Sequence, residues 1–348
     1  MNKELVFKRV AFLSATLILI VLVSIFIMLF FDAKSAINKY GVYFLVDSRW
    51  NKTIEIKSTE SKTNPSKLIA KTSKTNDDVS MNNDNLFADD SSVLGDSESL
   101  DNSAGDKAVD ESVDTNTNVK TDTIFGGYIP IVGTILSTLI AMTFSIPIAM
   151  GIAVFLSEIA PDFLIKPVGI AIELLAAIPS IIYGMWGLFY FAPIVQNTFG
   201  GSQMSLLIAG LVLGIMILPF MAAITRDAMN TTPDVIKESA YALGATKFEV
   251  VKDVIFPYAK VGIIGSVVLS LGRALGETMA VAFLIGSVFK VPGSLTNPTI
   301  SIPVVLANNF GEASGDMMSS LFYLAFILFV FSFITIGAAK FYFLRGRR

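Results

Sequence analysis

Between Val10 and Phe31 the chain runs for 22 residues without a charged side chain, behind Lys3, Lys8 and Arg9. As a helix rising about 1.5 Å per residue, such a run is as long as a bilayer's hydrocarbon core is thick. No water reaches backbone N–H and C=O groups there, so a single apolar run must satisfy them within itself, as a helix does. The run is too long for the core of a secretory signal and lacks a convincing A-x-A site, so it reads as an uncleaved first span. Further apolar runs near 127–157, 168–193, 205–225, 259–288 and 319–343 make six spans, with both termini on one side. The expected fold is an all-α integral membrane protein.

Basic residues fix the orientation. Lys3, Lys8 and Arg9 precede the first span, and Lys340, Arg345, Arg347 and Arg348 close the last. By the positive-inside rule both ends are cytoplasmic, in a multi-pass protein of the cell membrane. The same assignment puts Arg226, Lys237, Lys247, Lys252 and Lys260 inside and leaves the loop 194–204 outside without a basic residue; Lys34, Lys39 and Arg49, just outside the first span, depart from the rule.

Composition narrows the chemistry. The 348 residues are 53% hydrophobic and include no histidine and no cysteine. Disulfides, thiolate chemistry, the usual zinc sites and the commonest general base are therefore missing, which speaks against most hydrolytic and metal-dependent enzyme mechanisms.

The formal net charge of -3 hides two unlike parts, because residues 51–122 hold 8 Lys against 15 Asp and Glu. That segment is rich in Ser, Thr, Asn and Asp, has no hydrophobic period, and turns from basic (51–76) to acidic (77–122). It cannot bury enough apolar surface to offset its ordering entropy, so it reads as a long disordered extracytoplasmic insertion, with a docking role as the alternative. The expected organisation is a first span with its cytoplasmic end (1–31), an outside loop (32–126), a core of five spans (127–343) with a cytoplasmic loop (226–258), and a basic tail (344–348).

Deep in the fifth span the stretch "SLGRALGETMAV" carries Arg273 and Glu277. A charge near mid-bilayer costs roughly 2.5–3.5 kcal/mol on insertion scales, so both side chains should face the bundle or a wet cavity. On one continuous helix, Ser266, Ser270, Arg273 and Glu277 would form a polar stripe. Gly262, Gly265, Gly272 and Gly276 would form a small-residue face beside it, where another helix can approach closely. Two readings stay open: an i,i+4 ion pair that neutralises both charges, or a guanidinium fork that meets an anionic substrate with Glu277 as its alternate partner.

The loop "PDVIKESAYALGATKFEVVKDVIFPYAK" predicts two short helices joined at Gly244. Its "ESAYALG", followed thirteen residues after Gly244 by Pro257, resembles the E-A-A-x3-G…P loop of ABC-importer permeases. In that family the loop inserts into a groove on the ATP-binding subunit. The resemblance implies that Glu238, Ala240 and Gly244 face that groove, with Ser239 at a position where the family has alanine and Pro257 leading into the next span. The chain has no G-x4-G-K-[ST] loop, so ATP and Mg would be bound by a separate ATPase and no cofactor by this chain.

"FLVDSRW" (44–50), "GTILSTLIAM" (133–142), "FLSEIAP" (155–161), "IELLAAIPSIIYGMWGLF" (172–189) and "GRALGETMAVAFLIG" (272–286) resemble the phosphate-specific ABC transporter permeases of the PstC type. The resemblance implies a type I ABC-importer permease with six transmembrane helices and phosphate as substrate. It assigns translocation to the arginine and glutamate that match Arg273 and Glu277. The implied partners are a second permease of the PstA type, an ATP-binding subunit dimer of the PstB type, an extracytoplasmic phosphate-binding protein of the PstS type, and membrane lipid, with no nucleic acid. Glu173, near the cytoplasmic end of the third span, reads as a helix-end carboxylate that contacts a neighbour. A permease for sulfate, molybdate or phosphonate, an ATP-independent channel or transporter, and a phosphate-sensing scaffold are the alternatives.

Overall fold

The computed structural model describes residues 3–56 and 120–344. Twelve helices in chain order form α1 (Lys3–Tyr40), α2 (Tyr128–Val154), α3 (Asp162–Ala177), α4 (Ser180–Trp186), α5 (Ala192–Phe199), α6 (Leu206–Asn230), α7 (Asp234–Ala242), α8 (Lys247–Glu249), α9 (Phe256–Leu275), α10 (Met279–Leu284), α11 (Ile302–Asn309) and α12 (Gly315–Leu344). Three π-helical turns, Phe155–Ile159, Gly187–Phe191 and Val250–Ile255, extend α2, α4 and the start of α9. Five helical segments are long and apolar enough to cross a membrane, and α3 with the segment Ser180–Phe199 makes a sixth that is bent by 91°.

The bundle is organised on α6, which packs along α2, α9 and α3, while α1 lies against α12. The α2–α6 seam exists because α6 presents glycines one turn apart. A Cβ on Gly210 would stand 2.7 Å from Ile140 Cβ, and one on Gly214 3.0 Å from Phe144 and from Ser145 Oγ. Backbones that approach this closely gain dispersion contacts, and apolar side chains alone give no preference for protein over lipid. The Ser145 hydroxyl completes the seam, 2.8 Å from the Gly214 carbonyl and 2.7 Å from that of Ala141. On α1 and α12 the contact is aromatic, with Phe26 and Phe30 5.4 and 5.8 Å from Phe326. The remaining surface of α1 is apolar and exposed, Phe12 and Ile18 being 72% and 70% accessible, as suits a helix solvated by lipid.

Three boundaries differ from the sequence reading. The first helix does not stop at residue 31 but continues to Tyr40, because "DAKSAINKY" contains helix formers and buries Ala33 and Ala36. The third span is two helices. Pro179 has no N–H to donate and its ring disfavours α geometry at Ile178, so α3 ends there and α4 starts anew. Pro147, by contrast, lies inside an unbroken α2. The fifth span ends at Leu275 and restarts at Met279.

The insertion's ends are strands, β1 (Lys52–Ile56) paired with β2 (Lys120–Ile124). Both are rich in β-branched Thr and Ile, which suit a pleated backbone. The expectation of disorder for the rest of 51–122 falls on residues 57–119, outside the described residues. Just before β1, Trp50 stacks on Phe289 at 5.2 Å and meets Phe125 edge-on at 5.3 Å. Asp47 is clamped by Arg49, 2.7 Å away. Burial pushes the Asp47 carboxyl up, but the hydrogen bonds from Arg49 outweigh it and hold the group below its ordinary range.

Candidate functional site

Arg273 occupies the last turn of α9, beside two helix breaks that meet. One is the Pro179 break between α3 and α4; the other is the Gly276–Thr278 break between α9 and α10, and α10 packs on α4. The approach is close because Gly184 lies against Ala280, where an added Cβ would stand 3.0 Å from Ala280 Cα. A break strands backbone carbonyls at the end of the first helix. Here the Tyr183 hydroxyl donates to the Leu175 carbonyl at 2.8 Å, tying α4 back to α3 across the bend.

The guanidinium sits over the Phe220 ring of α6, 5.5 Å from its centroid, and its charge reaches Tyr183. Among the described residues no carboxylate lies within salt-bridge distance of Arg273. Glu277, expected one helical turn further along the same face, lies beyond the end of α9. Its carboxylate accepts from the Ala280 N–H at 3.2 Å and so caps α10. The expected i,i+4 pair is therefore not formed, because Gly276 ends the helix between the two residues. What remains is a half-buried guanidinium over an aromatic face, with no ion pair or hydrogen bond from its donors among the described residues, a fork that suits an oxyanion.

The other members of the expected stripe are placed differently. Ser266 is fully buried, 2.6 Å from the Thr225 hydroxyl of α6, and donates to the Ile263 carbonyl at 2.8 Å. It joins α9 to α6. Ser270 is also fully buried, with no hydrogen-bond partner. The glycine face is likewise divided. Gly262 lies against Ala228 of α6 and Gly272 against Ile336 of α12, while a Cβ on Gly265 would meet nothing and one on Gly276 only carbonyls of its own turn. Two of the four glycines serve close packing within this chain, against two different helices.

The α7–α8 loop forms a knob. Gly244 adopts φ +89, the left-handed geometry that ends α7, with Ala245 N–H bonding back to the Ala240 carbonyl at 3.1 Å. Thr246 and Glu249 then form a reciprocal capping box that starts α8. Glu238 and Ser239 are exposed, and the Ser239 hydroxyl donates to the Val235 carbonyl. Leu243 and Phe248 project outward at 90% and 73% exposure. Ala240 departs from the outward orientation expected of it and packs toward a small second core that includes Ala153, Met229, Val250 and Ile255. Pro257 stands where the π-helical turn Val250–Ile255 passes into α9, so the second short helix does not end before it but runs on into the next span.

Two ion pairs are not legible from the spacing of charges along the chain. Arg226 of α6, 15% exposed, contacts Glu173 of α3 at 3.6 Å and Asp227 at 2.9 Å. It reaches α3 only because Gly169 has no side chain: a Cβ there would stand 2.7 Å from Arg226 Nη1. The neighbour expected for Glu173 is thus Arg226. The second pair, Lys237 with Glu158, joins the knob to the end of α2 at 2.7 Å.

Comparison with known proteins places this architecture. A family model described as "Binding-protein-dependent transport system inner membrane component" matches residues 123–345, from β2 to the end of α12. The chain belongs to this family. Among the relatives of this binding-protein-dependent permease are the phosphate transport system permease proteins PstC of Pasteurella multocida and Haemophilus influenzae. They are 48% and 49% identical over 62% and 59% of this chain, and over 74% and 72% of their own lengths. The PstC of Mesorhizobium japonicum is 45% identical over 64% of this chain and 74% of its own. A solved chain from the MetNI methionine ABC transporter, captured in inward facing conformations, superposes with TM-score 0.53 at 17% identity over 63% of this chain and 95% of that one, a likeness of fold. As a permease the chain is a transport subunit and not an enzyme.

Proposed function

We infer that this chain is the transmembrane permease subunit of an ATP-driven importer of inorganic phosphate. The identity of 45–49% to permeases named for phosphate transport carries the reading. Arg273 supplies chemistry that fits it. A desolvated phosphate needs a cation in a low-dielectric path, and a planar guanidinium meets its oxygens two at a time. A guanidinium already chelated by a carboxylate would have to exchange that partner; among the described residues Arg273 has no such carboxylate and rests over the Phe220 ring.

In this proposal a second permease of the PstA type completes the pore, a binding protein of the PstS type delivers phosphate from outside, and a dimer of PstB-type ATPase binds ATP and Mg. Both termini lie in the cytoplasm, and Glu238, Ser239, Gly244 and the exposed Leu243 and Phe248 of the knob meet the ATPase. Glu277 caps the start of α10 next to Arg273, Ser266 ties α9 to α6, and the buried, unpartnered Ser270 hydroxyl lies on α9 about one turn before Arg273.

The complex reconstituted in vesicles should take up phosphate only with ATP. Arg273→Gln should abolish uptake without reducing the amount of assembled complex. Unchanged uptake by that variant would remove Arg273 from the path, and stronger competition by sulfate or molybdate than by phosphate would reassign the substrate.

A further inference from the structure

The α7–α8 knob is covalently continuous with α6 and α9, yet its strongest polar tether runs to a third helix. Lys237 Nζ lies 2.7 Å from Glu158 Oε1, with the two side chains only 15% and 8% exposed. Glu158 stands in the π-helical turn that ends α2, and the Ser157 hydroxyl donates to the same carboxylate oxygen at 3.1 Å. The other carboxylate near Lys237, Asp234, is 3.9 Å away and 87% exposed, so water screens it. Beside the pair, Ala240 and Ala245 of the knob pack with Ala153 of α2, Met229 of α6 and Val250.

We propose that the Lys237–Glu158 pair is the strut that passes movement of the knob to α2. Apolar contacts of the second core can slide past one another at little cost, because they are non-directional. A charge pair withdrawn from water is different: separating it leaves each partner buried and uncompensated, which is strongly unfavourable. The knob therefore drags α2 before it parts from it. From α2 the route continues through the Gly210–Gly214 seam to α6, and α6 carries Phe220 beneath the Arg273 guanidinium. The contact thus adds to the chain's own links with α6 and α9 a second route, through α2, from the ATPase-facing surface to the helix on which the guanidinium rests. The inference rests on the reading of the chain as an ATP-driven permease.

The test uses the whole complex in vesicles, with ATP hydrolysis and phosphate uptake measured together. Glu158→Gln or Lys237→Met should leave ATP hydrolysis near its normal rate and lower phosphate delivered per ATP by roughly tenfold, the usual size of a coupling between two sites. The exchange of both residues, Glu158→Lys with Lys237→Glu, should recover a substantial part of that loss. An unchanged ratio in the single variants overturns the proposal. So does a parallel fall of hydrolysis, uptake and assembled complex, which marks a merely structural pair. A readout independent of substrate separates this from a wrong choice of phosphate. The chain has no cysteine, so spin labels on Ile159→Cys and Val235→Cys report the α2–α7 separation directly. Adding Glu158→Gln should broaden that distribution in the presence of ATP. An unbroadened distribution overturns the strut, whereas a wild-type complex that takes up no phosphate yet shows the broadening overturns only the substrate.

Discussion

Arg273 rests on an aromatic ring rather than on a carboxylate, and that decides what kind of partner it is for an anion. A cation over a phenyl face gains about 0.5–2 kcal/mol, far less than a desolvated ion pair, so the guanidinium is held in position yet readily surrendered. Its shape then matters as much as its charge. Arg273→Lys keeps the positive charge but replaces a planar fork by a compact ammonium, and phosphate uptake in vesicles should fall by roughly tenfold or more, as expected when one charged hydrogen bond is lost. Normal uptake with lysine would mean that charge alone suffices. The position of Arg273 was legible in the sequence because a charge in an apolar run is conspicuous. Its surroundings were not: Phe220 lies 53 positions away, and Glu277 shares its face only if the helix continues through Gly276.

Helices reveal themselves by hydrophobic runs, and the six spans were readable on that ground; what a run does not display is where it breaks. Pro147 and Pro179 look alike in sequence, yet α2 passes through the first and α3 stops at the second. The difference lies in Tyr183 and Gly184, which give the Pro179 break a carbonyl partner and a closely packed neighbour. The glycines of the fourth span show the same limit. Gly210 and Gly214 are spaced for close packing, but only the structure shows that both face one helix, α2, whereas the four glycines of α9 share no single partner. Gly214→Leu should overpack α2 against α6 at a cost of about 1–3 kcal/mol or more, lowering the melting temperature of the detergent-solubilised protein, while Gly265→Ala should leave it unchanged. Equal effects of the two would contradict the seam. The knob carries a pH-sensitive element of its own. The Glu249 carboxylate accepts the Thr246 N–H, and secondarily its hydroxyl, at 2.7 and 2.8 Å, which lowers its pKa. A depressed carboxylate pKa stabilises the fold above the ordinary glutamate value, and that contribution is lost as pH falls through the folded-state value. Hydrogen exchange of the amides from Thr246 to Val250, corrected for intrinsic rates, should therefore quicken only as pH falls below the ordinary glutamate value, and Glu249→Gln should erase that dependence.

For the molecule as a whole, the family match begins at residue 123, where the insertion has returned to β2. The pairing of β1 with β2 closes the insertion where it leaves and rejoins the rest of the chain. Replacing residues 57–119 by a Gly/Ser linker of about twelve residues, enough for either strand direction, should leave assembly and phosphate uptake at the level of the full chain. A loss of uptake confined to delivery by the binding protein would instead assign the segment a docking role. The π-helical turns at Phe155–Ile159 and Val250–Ile255 set the character of any motion that starts at the knob, since the first meets it at the end of α2 and the second leads from it into α9. Each wide turn holds one residue more than an α-turn, and a residue that slips from it into the regular ladder turns the helix beyond by about 100° and lengthens it by about 1.5 Å. Such a screw motion of α9 would re-aim Arg273 and at the same time exchange the face that Gly262, Ser266 and Gly272 present to α6 and α12, so seam and guanidinium would have to move together.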